Sequence, residues 1–116
     1  MKLVALAALV AVLIVPAALG STPVLNGTVG PGFTITLKKA GVKVTKLKHG
    51  TYVIKVADKS GIHNFHLKGP GVDKKTAVTF TGTKTWTVTL KAGKYTYVCD
   101  PHSRPPFSMK GSFTVT

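Results

Sequence analysis

The stretch Tyr95-Thr96-Tyr97-Val98-Cys99-Asp100-Pro101-His102 decides how this chain folds. Up to Cys99 it alternates with a period of two, which is the pattern of a β-strand with one buried face. Tyr95, Tyr97 and Cys99 share that face, so the sulfur points into the core. Pro101 then stops ladder pairing, because proline has no N–H to donate. Cys99 is the only cysteine in the 116 residues, so it has no partner for a disulfide within the chain.

The same period recurs outward in both directions. Phe33, Ile35 and Leu37 alternate with Thr34, Thr36 and Lys38. Tyr52, Ile54 and Val56, then Trp86, Val88 and Leu90, and finally Phe113 and Val115 do the same. Gly-Pro-Gly at 30–32 and 69–71, Ala40-Gly41, Gly50, Ser60-Gly61, Gly82 and Ala92-Gly93 punctuate the runs as turns. The pattern predicts an all-β Greek-key sandwich or barrel of about seven to eight strands. It leaves room for at most one turn of helix, in the 103–110 region. The run Leu47–Tyr52 is echoed at Leu90–Tyr95. Each is a turn feeding a strand that starts with tyrosine, as expected of tyrosines that pin sheet corners through their hydroxyls. The echo puts His49 at a turn tip, as a solvent-exposed bystander.

The chain opens with one lysine and an apolar run from Leu3 to Leu19, closed by the small residues Ala18 and Gly20. This reads as a secretory signal peptide over residues 1–20, with cleavage near Gly20/Ser21 and one domain over 21–116. Export, whether periplasmic, to the cell surface or extracellular, makes a lone cysteine informative, since exported cysteines usually pair. Residues 21–116 carry fifteen basic against three acidic side chains, a formal charge of +12. That excess favours anionic partners, namely an acidic protein or a membrane surface; for an exported chain it does not point to nucleic acid.

Cys99, His102 and Met109 crowd one segment. A thiolate, an imidazole and a thioether together suit copper or zinc, and a second imidazole must come from elsewhere. Ser60–Leu67 offers His63 and His66; in a regular strand only one of them faces the site. The other reads as a packed or surface strand histidine. No serine–histidine–carboxylate set is present, and Asp58, Asp73 and Asp100 are scattered along the chain, so the sequence does not describe a hydrolase.

Cys99-Asp100-Pro101-His102 with Met109, preceded by His63-Asn64, resembles the type 1 copper site of the cupredoxins, the plastocyanin and pseudoazurin kind. The resemblance extends over essentially all of residues 21–116. It implies a copper ion, one per chain, with His63, Cys99 and His102 as the equatorial ligands and Met109 as the axial one. Asn64 is implied to tie the two ligand loops together. The sequence departs from the family by placing six residues between His102 and Met109, including the stiff Pro105-Pro106 pair, so this loop must fold back. By the same resemblance the protein is a monomeric electron carrier and not an enzyme. Pro101, Pro105, Pro106 and Phe107 form an apolar collar around His102, for transient docking of an acidic redox protein. The competing expectation is a copper-buffering or delivery protein of the cell envelope, although Met-rich or His-rich tracts are lacking. Larger copper enzymes of this fold need further domains and histidines, and a binuclear copper centre needs a second cysteine.

Overall fold

The structure is a computed structural model, and it describes residues 21–116. The leader at 1–20 lies outside the described residues. Ten strands follow in chain order: β1 (Val24–Val29), β2 (Ile35–Lys39), β3 (Val42–Lys43), β4 (Lys46–Leu47), β5 (Gly50–Asp58), β6 (His66–Gly69), β7 (Val72–Lys75), β8 (Gly82–Leu90), β9 (Gly93–Val98) and β10 (Lys110–Val115). They form two five-stranded sheets, ordered β3-β2-β1-β5-β8 and β4-β10-β9-β6-β7. The β1–β5 and β4–β10 pairs are parallel and the remaining pairs antiparallel. The fold is therefore the all-β sandwich the alternation predicts. The strand count is higher because β3 and β4 have two residues each, too few to show a period.

β1 escapes the hydrophobic pattern for a physical reason. Leu25 and Val29 point inward with Gly27 between them, and a Cβ on Gly27 would stand 2.9 Å from the Phe65 ring. The aromatic ring fills the place that a side chain in the strand would otherwise occupy.

Between the sheets the core is continuous, built on Leu25, Leu37, Ile54, Phe65, Leu67 and Leu90, all essentially inaccessible, with Tyr95, Tyr97 and Phe113 stacked through it. Among the described residues the strands and the buried core run from Val24 to Val115. Both corner tyrosines are present. The Tyr52 hydroxyl donates to the Lys48 carbonyl at 2.7 Å, and that of Tyr95 to the Lys91 carbonyl at 2.9 Å, each four residues back. His49 is exposed at its turn, and its Nδ1 bonds the Thr116 carbonyl oxygen at 2.9 Å.

Three expectations need correction. The single helical turn is a 3-10 turn at Asp100–His102 rather than in 103–110, because Pro101 suits the first helical positions, where no N–H is needed. Phe33 does not share the inward face of Ile35 and Leu37. It precedes β2 and is 51% exposed. Residues 61–65 form a loop, with β6 starting only at His66, so His63 and His66 do not share the regular strand whose parity would choose between them. Among the described residues no helix is long and apolar enough to cross a membrane.

Candidate metal centre

Strand registers bring three loops to one end of the sandwich: 30–34 after β1, 59–65 after β5, and 99–109 between β9 and β10. The end of β9 delivers Cys99, the 3-10 turn delivers His102, and the 59–65 loop delivers His63. Cys99 Sγ lies 3.7 Å from His63 Nδ1 and 3.5 Å from His102 Nδ1, and the two Nδ1 atoms are 2.9 Å apart. His63 and Cys99 are fully buried, while His102 is half-buried.

A point equidistant from the three atoms lies about 2 Å from each, the length of a metal–imidazole bond and a little under a metal–thiolate one. Two Nδ1 lone pairs and a sulfur facing one another need a cation, or shared protons, between them. The donor set of two imidazoles and one thiolate is the trigonal set that suits copper. These residues fit such an ion. Among the described residues no other group of three histidine, cysteine or carboxylate side chains brings its donor atoms this close.

Met109 is buried, and its backbone closes the ligand loop. Its N–H donates to the His102 carbonyl at 3.1 Å, and its carbonyl accepts from the Cys99 N–H at 3.0 Å. Residues 103–108 are thereby pinched off at their base. The Pro105-Pro106 pair sits within a tight turn rather than an extended detour, closed by the Phe107 N–H donating to the Arg104 carbonyl at 2.9 Å.

Asn64 locks the two ligand loops together. Its Nδ2 donates to Asp100 Oδ2 at 2.8 Å and to the Thr76 carbonyl at 3.3 Å, and its Oδ1 accepts from the Asp100 N–H at 2.7 Å. The Asn64 backbone N–H points at Cys99 Sγ, 3.4 Å away. Burial pushes the Cys99 thiol up, and the N–H groups of Asn64 and His102 only partly offset it. Burial, and then the neighbouring His102, pull His63 down, so its imidazole stays neutral to lower pH than usual. Its Nε2 is buried without a partner in hydrogen-bond geometry, although the Gly32 backbone nearby favours the protonated ring.

Two features of this end are not read from the sequence. Phe33 stacks on Phe107 with centroids 4.6 Å apart and meets both His63 and His102 edge-on. Only the Gly-Pro-Gly turn before it hints that it leaves the strand. The second is His66, which bonds Asp100 through Nδ1 at 2.9 Å and Asp73 through Nε2 at 2.6 Å. Two of the three carboxylates, far apart in sequence, thus meet on one ring. Burial lowers the His66 pKa, but the hydrogen bonds and charges of Asp100 and Asp73 outweigh it and raise it overall. Of the collar residues, Pro101, Pro105 and Pro106 are exposed and Phe107 is half-buried.

No curated protein matches the chain significantly. Among solved structures, reduced rusticyanin is 21% identical over 84% of this chain and 81% of its own, with a TM-score of 0.59. Rusticyanin from Thiobacillus ferrooxidans is 23% identical, with coverages of 84% and 79% and a TM-score of 0.57. Dithionite-reduced auracyanin from Roseiflexus castenholzii is 17% identical over 84% of this chain and 99% of its own, at 0.57. These likenesses establish the fold. The profile of copper binding proteins of the plastocyanin/azurin type matches residues 26–116, so the chain belongs to the plastocyanin/azurin family of copper-binding proteins.

Proposed function

We propose that the protein is an exported blue copper protein that carries single electrons between redox partners. In this proposal residues 1–20 are a cleaved secretory leader and 21–116 the working domain. His63, Cys99 and His102 would hold the copper ion, with Met109 as a further, weaker ligand. The observation that carries the proposal is the convergence of Cys99 Sγ with the Nδ1 atoms of His63 and His102. Bound copper would supply a one-electron couple between Cu(I) and Cu(II).

The chain's own part is to hold donors still and keep water out. Asn64 and the Met109 backbone bonds clamp the loops that carry the donors. His63 is neutral and ready to donate its lone pair. Cys99 must give up its proton on loading, so copper affinity rises with pH. His102 is the one half-exposed donor, edged by Phe33 and Phe107. That collar supports weak, transient docking through a small apolar contact. Arg104 is exposed beside it, and the net positive charge steers an acidic redox protein toward the molecule. Burial of His63, Cys99 and Met109 disfavours the rival role of buffer or delivery protein, which needs exposed, exchangeable ligands.

Titration of residues 21–116 with Cu(II) tests this. The expected result is an intense blue thiolate charge-transfer band at one equivalent, absent in Cys99→Ala and His63→Ala. Met109→Leu keeps the band and shifts the reduction potential. A colourless complex, or copper reduction with oxidation of Cys99 alone, would overturn the proposal.

A further inference from the structure

The strand registers sort the basic side chains by height along the sandwich. At the pole remote from Cys99, Lys38 and Lys39 end β2, with Lys43 paired to Lys38. Lys46 and Lys48 flank Leu47 beside the end of β10. Lys91 and Lys94 border the turn from β8 to β9. All seven are exposed. Of the three aspartates, Asp58 is buried at the opposite end of β5, Asp100 lies in the turn after β9, and Asp73, which borders a groove with Lys91, is engaged by His66. Among the described residues no lysine makes an ion pair.

Two further features coincide there. An open groove of about 600 Å³ runs between β3 and β4, with four of these lysines around Val42, Leu47 and Tyr52. Val42 is 69% exposed, the most exposed large apolar residue described. The start of β1 lies at the same pole, where the Pro23 carbonyl accepts from the Val53 N–H at 3.0 Å. Residues 1–20, with their apolar run from Leu3 to Leu19, therefore join the domain at the lysine pole.

We infer that the lysine pole docks on a bilayer surface bearing anionic phospholipid headgroups, with Val42 dipping toward the acyl boundary. The charges are complementary, each lysine at such a surface adding roughly five-fold to partitioning. The site of attachment agrees in either state of the leader. If retained, the leader brings this pole to the bilayer; if removed, it leaves an amino group among the lysines. A protein partner taking electrons could not use this pole. The nine-residue strand β5 separates it from the metal end by roughly 30 Å at about 3.3 Å per residue. Docking of this kind leaves His102 and its collar facing the aqueous side.

Co-sedimentation of residues 21–116 with vesicles tests the inference and does not require copper. The probes are vesicles of phosphatidylcholine with 30 mol% phosphatidylglycerol, and of phosphatidylcholine alone. Partitioning onto the anionic vesicles should exceed that onto the neutral ones by at least about ten-fold and fall steeply with salt. The triple variant Lys43→Gln/Lys46→Gln/Lys91→Gln should lose about ten- to hundred-fold. A matched variant, Lys55→Gln/Lys59→Gln/Lys84→Gln, removes the same charge from exposed positions outside the pole and should lose less than about three-fold. Equal losses in the two variants would mean attraction by net charge alone and overturn the docking surface. So would failure to bind anionic vesicles while poly-L-glutamate is bound through the same lysines, which would assign the pole to an acidic protein. Circular dichroism melting of both variants confirms that each is folded.

Discussion

Asn64 carries more of the metal end than any donor does by itself. It is 2% exposed and bonds Asp100 twice, once with each end of its amide. Asn64→Ala strands the Asp100 N–H and loosens the joint between the His63 and Cys99 loops. The expected cost is about 2 kcal/mol, as for a buried polar group left without its partner. Melting of the metal-free protein should fall by about 10 °C. The backbone bond from Asn64 to Cys99 Sγ survives the substitution, so a loss much larger than this would mean that the sulfur contact also depends on the side chain. A stabilising change is available at Ala40. With φ at 48° beside Gly41 at 80°, Ala40 occupies the left-handed region in the two-residue turn between β2 and β3. Such turns favour Asn-Gly. Ala40 is exposed, so Ala40→Asn should stabilise the fold by about 0.5–1 kcal/mol, read as a higher urea midpoint with unchanged slope.

At the scale of elements, cross-strand fit decides which sequences the ladders accept. Gly111 faces Tyr97 across β10 and β9, and a Cβ on Gly111 would run into the Tyr97 ring. Gly111→Ala should therefore cost about 2–3 kcal/mol through displaced aromatic packing, measured by chemical unfolding. His66 joins three strands, lying on β6 between Lys75 of β7 and Val98 of β9 while bonding Asp73 and Asp100. The raised His66 pKa contributes stability that is complete below the ordinary imidazole value and disappears as pH rises through the higher folded value. Asp73, lowered by its His66 bond, and Asp100, where bonds from Asn64 and His66 outweigh burial, contribute stability complete above the ordinary carboxylate value. The cluster is thus fully paired between about pH 4 and 6.5. His66→Gln should lower the melting temperature of the metal-free protein by a few degrees at pH 5.5 and leave it nearly unchanged at pH 9. A pH-independent loss would mean that His66 acts by packing alone.

Over the whole molecule, the donors and the apolar collar stand at one end, and seven of the fourteen lysines of residues 21–116 stand at the other. The rigid sandwich between them means that one end can be held while the other exchanges electrons. The folded chain gathers the donors that the unfolded chain scatters, so copper favours the folded state and loading stabilises it by mass action. Copper-loaded protein should melt well above the metal-free form, and a chelator should erase the difference. The gap should be absent in Cys99→Ala, where one corner of the donor triangle is gone.

Period-two alternation in Tyr52–Val56, Trp86–Leu90 and Tyr95–Cys99 was enough to determine an all-β sandwich and to turn the cysteine inward, because strand geometry alone assigns every second side chain to one face. The corner tyrosines at 52 and 95 were legible for the same local reason, each bonding four residues back. The grouping of Cys99, His102 and Met109 was visible as spacing. Contacts between distant segments were not. That Phe33 leaves its strand to cover His102, that Asp73 and Asp100 converge on His66, and that seven lysines meet at one pole all depend on which strands become neighbours. The order and register of strands across two sheets are set by packing between segments far apart in the chain, and no local period records them.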